Sequence, residues 1–151
     1  MDSVHALIIG EHGDSEFPLW SQSSIGPVPL SQWRLNGMNP LSQAELDEIA
    51  YEVKTAAYKV IEGKGATNFA IGLSGARIVQ AVLRDENAIL PVSSVLSDYQ
   101  GISGVAMSVP TLVNAQGAAR VIDLKITDDE LGKLRASAET LRESIRTLGL
   151  A

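Results

Sequence analysis

Two capping boxes, Ser42-Gln43-Ala44-Glu45 and Thr127-Asp128-Asp129-Glu130, fix where the long helices of this chain can begin. In each, the hydroxyl accepts from a free backbone amide and the glutamate three residues on reaches back to the cap. After the first, Leu46, Ile49, Val53, Ala57, Val60 and Ile61 keep helical spacing, with Gly63 and Gly65 expected to end the helix. After the second, Leu131, Leu134, Ala138, Leu141, Ile145 and Leu148 form a stripe flanked by charged residues, expected to pack on the chain's own sheet. A further helix is expected from Thr67 to about Arg84; its small residues, among them Ala70, Gly72, Ser74, Gly75 and Ala76, suit a helix enclosed by other backbone.

The remaining segments read as strands. Residues 4–9 form an apolar run expected to be one buried strand, and 16–22 a second, after the Gly13-Asp14 turn. Residues 25–29, interrupted by Pro27 and Pro29, read at most as an edge strand. Residues 36–40 carry loop chemistry. Residues 88–96 and 105–113, joined by a glycine-containing turn, read as an antiparallel pair, and 119–126 as a further strand. Strands and helices do not alternate regularly, so an α+β fold is expected, an antiparallel sheet packed with long helices, rather than a doubly wound parallel sheet.

Composition narrows the function. The 151 residues suffice for a single domain with a real core and carry a net charge of −6, which argues against a nucleic-acid surface. There is no cysteine, hence no disulfide, thiol nucleophile or cysteine-based zinc site. No apolar run is long enough to span a membrane, and no basic region followed by an apolar stretch marks a secretory leader, so a cytoplasmic location is expected.

The candidate chemistry lies in Gly10-Glu11-His12-Gly13-Asp14-Ser15, directly after the first apolar run. A histidine bracketed by glycines presents an imidazole on a tight turn that a ligand can approach, and its unperturbed pKa suits proton transfer near neutrality. Asp14 reads as a turn-capping residue rather than as the carboxylate partner of His12. A metal site built from His5, His12 and Asp14 is disfavoured, because strand and turn spacing does not bring the two histidines to one ion. The run Gly63-Lys64-Gly65-Ala66-Thr67-Asn68 is not a phosphate-binding loop, because a helix rather than a strand precedes it. No dinucleotide fingerprint occurs in these residues.

The histidine segment, with Phe17-Pro18-Leu19-Trp20-Ser21 after it, resembles the catalytic-histidine region of L-lactate dehydrogenases of bacterial type. Lys64-Gly65-Ala66-Thr67, Ala70-Ile71-Gly72-Leu73, Asn87-Ala88-Ile89-Leu90-Pro91-Val92-Ser93 and Val109-Pro110-Thr111 resemble later landmarks of that family, in family order. The resemblance covers nearly all of residues 1–151, but only the second, substrate-binding half of such an enzyme; the NAD-binding half is expected to be absent from this chain. It implies the interconversion of pyruvate and lactate with NAD. His12 would be the proton donor and acceptor, Thr67 would line the pocket beside the substrate methyl group, and Ile71 would pack on the nicotinamide ring. It implies that the aspartate orienting the histidine and the arginine clamping the substrate carboxylate both precede Met1, so that the chain alone is inactive. His5 matches a histidine of a fructose 1,6-bisphosphate effector site at a subunit interface, and homo-oligomerisation is expected. Glu11, Ser15, Glu16 and Thr67 resemble the lactate branch. A malate or other 2-hydroxy-acid dehydrogenase domain, and a non-catalytic assembly module, are the alternatives.

Overall fold

The computed structural model describes residues 3–34 and 37–150; Asn36 of the expected loop lies outside the described residues. Its centre is an antiparallel sheet of β6 (Ala88–Val95), β7 (Ala106–Asn114) and β8 (Gly117–Val121), in that spatial order. The β6–β7 ladder runs from Ala88↔Val113 to Val95↔Ala106, as the sequence predicts for 88–96 and 105–113. The turn between them is closed by a bridge between Tyr99 and Ile102.

The N-terminal residues depart from the expected pair of strands. The run 4–9 splits into β1 (Val4–His5) and β2 (Ile8–Ile9), which join different ladders. β2 pairs with β3 (Phe17–Pro18), whereas β1 pairs with β4 (Ser24–Ile25). The change of partner at Ala6-Leu7 breaks the strand, and it leaves β1 exposed rather than buried. The expected strand 16–22 stops at Pro18 and gives way to a short 3-10 turn, Trp20–Gln22, which Ser23 closes by donating its hydroxyl to the Leu19 carbonyl at 2.9 Å. Residues 25–29 form half of a hairpin between β4 and β5 (Val28–Pro29), turned by Gly26 at φ 58. The strand expected over 119–126 occupies 117–121, since beyond Val121 the chain leaves the ladder to reach the next helix.

The helices follow their caps. α1 (Gln43–Lys64) and α3 (Asp128–Thr147) each open on a complete capping box. α1 runs through Gly63 and ends at Gly65, whose φ of 83 makes it a left-handed cap. α2 (Phe69–Leu83) begins two residues later than expected: Asn68 is its N-cap, and no side chain caps it. Intact backbone bonding carries α1 through Gly63, and Asn68 rather than Thr67 takes the N-cap position of α2.

The core lies between the N-terminal strands, the sheet and α3. Ile9, Phe17 and Leu19 meet Leu96, Ile102, Met107 and Val109, and α3 closes the cluster with Leu134 and Ala138, as its stripe predicts. α1 and α2 behave differently. α1 has no buried residue, and Ala81 is the sole buried residue of α2. Phe69, Leu73 and Leu83 are 76%, 75% and 80% exposed, so the enclosure expected for α2 is not supplied by the described residues.

Glu130 joins cap and core. Its Oε1 accepts from the Ser21 amide at 2.9 Å, and its Oε2 accepts from the Thr127 amide and hydroxyl at 3.0 and 2.9 Å. Burial works to raise its carboxyl pKa, but the hydrogen bonds from Ser21 and Thr127 together outweigh it and hold the group below the ordinary carboxylate value. Glu130→Gln is expected to cost about 2 kcal/mol at pH 7, the range for hydrogen bonds to charged groups. Because the folded-state pKa is lowered, this stabilisation is present above the unfolded value of about 4.3 and is lost as pH falls through the folded value. Urea unfolding at pH 7 and at lower pH should therefore show the gap between wild type and variant closing on acidification.

Candidate active site

The site starts where β2 ends. Gly10 donates its amide to the Ser108 carbonyl at 2.9 Å and accepts from the Ser108 amide at 2.8 Å, which fastens the end of β2 to the middle of β7. Its φ of 108 is a conformation L side chains rarely adopt, and a Cβ there would sit 2.9 Å from Ser137 Oγ and 3.3 Å from the Ser15 carbonyl. The chain then turns over Glu11 to Ser15. The Glu11 amide donates to Ser137 Oγ at 2.7 Å, and its carboxylate Oε1 accepts from the Ser15 amide at 3.0 Å and hydroxyl at 2.9 Å. Glu11, rather than Asp14, therefore caps this turn, because its longer side chain folds back across Gly13 to reach Ser15.

His12 stands at the tip with its side chain 98% exposed. Glu16, one turn on and mostly shielded, brings Oε2 to 3.5 Å from His12 Nδ1, within ion-pair reach of a protonated ring. Asp14 points the other way. Its Oδ1 accepts from the Tyr58 hydroxyl of α1 at 3.2 Å, and its carbonyl accepts from Lys54 Nζ. The charge of Asp14 and this hydrogen bond raise the pKa of the Tyr58 hydroxyl above its ordinary value. Asp14 thus ties α1 to the turn and leaves His12 free.

Beside the turn lies a cleft of about 360 Å³, bounded by His12 and Glu16, by Ile8, Pro91 and Ser108 of the sheets, and by Ser74 of α2. The other expected site residues are elsewhere. Thr67 is half-buried just before α2, Ile71 is 63% exposed on α2, and His5 is exposed on β1 opposite Ser24. Neither Thr67 nor Ile71 lines the His12 cleft. Glu11, Glu16, Ser74 and Ser137 escape a reading of the sequence as site residues. Only Glu11 carries a local signal, the four-residue spacing to Ser15.

This arrangement can offer a proton from a solvent-facing imidazole, carried on a hydrogen-bonded turn, to a ligand seated over a partly apolar floor. Among the described residues no arginine lines the His12 cleft; the side-chain contacts of the turn are with glutamates, serines, Lys54 and Tyr58.

Comparison with known proteins identifies the family and the fold. Residues 1–149 match the family described as the lactate/malate dehydrogenase alpha/beta C-terminal domain. The chain is 55% identical over 148 residues to an L-lactate dehydrogenase of Bifidobacterium animalis subsp. lactis, covering 97% of this chain and 46% of that protein. The minor L-lactate dehydrogenase of Enterococcus mundtii, in a ligand-bound crystal structure, superposes with a TM-score of 0.89 at 38% identity, covering 97% of this chain and 46% of that one. The malate dehydrogenase of Aeropyrum pernix superposes with a TM-score of 0.84 at 30% identity, covering 97% and 47%. The chain thus spans about half the length of the relatives it matches. With the α+β architecture and the matched residues in agreement, the chain belongs to the family of lactate/malate dehydrogenase C-terminal domains.

Proposed function

We propose that residues 1–151 form the substrate-binding, proton-transferring half of an NAD-dependent L-lactate dehydrogenase that interconverts pyruvate and lactate. The observation that carries this reading is His12, held fully exposed at the tip of a turn that is pinned at both ends. In pyruvate reduction His12 hydrogen-bonds the carbonyl oxygen, polarises it and delivers its proton; in lactate oxidation it takes that proton back. NAD supplies or accepts the hydride. Ile71, on exposed α2 and outside this cleft, is assigned to pack against the nicotinamide ring once the cofactor half is in place. The described residues contain no strand–glycine turn–helix unit to hold a pyrophosphate, so that part of NAD is assigned to the cofactor half of the enzyme. The same half is assigned the arginine for the substrate carboxylate and the aspartate for His12.

Thr67 is assigned to the pocket beside the substrate methyl group. Thr67→Ala is expected to lower kcat/KM for pyruvate by about tenfold, the low end for one lost apolar contact, with NADH binding unchanged. His5, exposed on β1, is assigned to a fructose 1,6-bisphosphate site of the intact enzyme. The outward apolar residues of α1 and α2 support assembly with the cofactor half and with further copies. Among the described residues no helix is long and apolar enough to cross a membrane; a cytoplasmic location is part of the proposal.

The test is a fusion of this chain to the part of the Bifidobacterium relative that lies outside the matched residues. NADH oxidation is expected with pyruvate, at a rate about tenfold or more above that with oxaloacetate. A preference for oxaloacetate would move the chain to the malate branch. No rate with either substrate, from a fusion that binds NADH, would reduce it to an assembly module.

A further inference from the structure

We propose that Ser137, on α3 and 126 residues from Glu11, is a positioning residue for His12. This rests on the reading of His12 as the proton donor.

Ser137 is fully buried, on the face of α3 that carries Leu134 and Ala138 into the core. A hydroxyl there is costly unless it is hydrogen-bonded, and a helical serine commonly satisfies itself by donating to the carbonyl four residues back. The other hydroxyls of α3 do so: Thr140 donates to Ala136, Ser144 to Thr140, and Thr147 to Glu143. Ser137 instead turns out of its helix toward the histidine turn, where its Oγ accepts from the Glu11 amide at 2.7 Å and lies 3.0 Å from Ser15 Oγ.

Counting protons closes the arrangement. Ser15 has one hydroxyl proton and two neighbours, Glu11 Oε1 at 2.9 Å and Ser137 Oγ at 3.0 Å. The carboxylate is the stronger acceptor and takes it. The Ser137 proton then goes to Ser15 Oγ. The result is a ring in which the Glu11 amide donates to Ser137, Ser137 to Ser15, and Ser15 to the Glu11 carboxylate. The ring joins the residue before His12 to the residue three after it, with a core helix as its anchor. It also gives Gly10 a second reason to be glycine, because the same Ser137 Oγ occupies the space a Cβ would need. Ser137 touches no substrate; it acts through Glu11 and Ser15 on the direction in which the imidazole points.

The experiment is backbone ¹⁵N relaxation and amide exchange on the labelled 151-residue chain, as wild type, Ser137→Ala and Ser15→Ala. In wild type, His12 should show an order parameter near the rigid value of about 0.85, with the Glu11 amide protected. In Ser137→Ala the His12 value should fall below about 0.6 and Glu11 exchange should quicken by about a hundredfold, while β6, β7 and α3 keep their wild-type values. Ser15→Ala, which breaks the same ring from its half-exposed side, should loosen His12 without touching the core, and it decides the matter should Ser137→Ala fail to fold. A purely structural serine would lower global stability and leave His12 and Glu11 at wild-type values in both variants, and that result would overturn the proposal. These readouts need no turnover, so they stand or fall separately from the rate measurements that test His12 itself.

Discussion

His12→Asn is expected to lower kcat for pyruvate reduction by the assembled enzyme by about 10³-fold, within the 10²–10⁴-fold range of general acid catalysis. Asparagine can still donate a hydrogen bond to the carbonyl oxygen but has no proton to deliver at neutral pH. Binding of pyruvate should suffer much less than turnover, so the loss belongs to kcat. The variant is also a clean one. The His12 side chain is 98% exposed, and its ion-pair neighbour is the Glu16 carboxylate at 3.5 Å. Surface substitutions of this kind usually alter stability by less than about 0.5 kcal/mol. Steady-state NADH oxidation with urea unfolding as the control measures both quantities, and a variant that loses stability along with rate would argue that His12 supports the turn rather than the chemistry.

The second large effect is expected from Gly10→Ala, a loss of about 3 kcal/mol in unfolding free energy. Two costs combine. The φ of 108 imposes strain on any residue with a Cβ, and that conformation is held by a pair of hydrogen bonds to Ser108. The new methyl group would also meet Ser137 Oγ at 2.9 Å, the Ser15 carbonyl at 3.3 Å and Glu16 Cα at 3.4 Å, and two of these three are backbone. Gly13 offers the contrast. The atoms nearest its Cβ position belong to the Glu11 carboxylate, the end of a flexible side chain, and its φ is not in the left-handed range. Gly13→Ala is therefore expected to cost only about 1 kcal/mol, chiefly through a weakened Glu11–Ser15 closure. Urea unfolding of the two variants side by side measures the difference, and equal losses would contradict the account of Gly10.

The comparison of these two glycines shows what the sequence makes legible. Both bracket His12, and both mark a turn; the positive φ of Gly10, the backbone of Ser15 and Glu16 folded close to it, and the Ser137 hydroxyl of α3 separate them. Features written in neighbouring residues are readable directly. Both capping boxes form with their reciprocal bonds, β6 and β7 pair where turn-bounded apolar runs place them, and α3 buries the expected face. Features decided by distant partners are not. The run 4–9 carries no mark of the break at Ala6-Leu7, because the break comes from pairing with two separate strands. Spacing points to Asp14 as the turn cap, but the Asp14 carboxylate is engaged by Tyr58 of α1 and the longer Glu11 side chain reaches Ser15 instead. Ser137 has no local signal, since a serine on an amphipathic helix looks the same whether it faces water or a turn 126 residues away. The stripe of α1 and the small residues of α2 mark faces suited to packing; neither pattern says what covers them, and the described residues leave them largely uncovered.

On the proposed function, these residues carry one half of a reaction centre, with His12 as its proton donor and the substrate clamp and cofactor supplied by the other half. The most direct test is pyruvate-dependent NADH oxidation by the 151-residue chain alone and by the same chain assembled with a cofactor half, each beside its His12→Asn variant. Proton and hydride transfer need both halves of the site held in register, so the chain alone should show no rate above its variant, and assembly should restore a rate that His12→Asn removes. A chain that reduces pyruvate unaided, at a rate lost with His12, would contradict the division of the site between two halves.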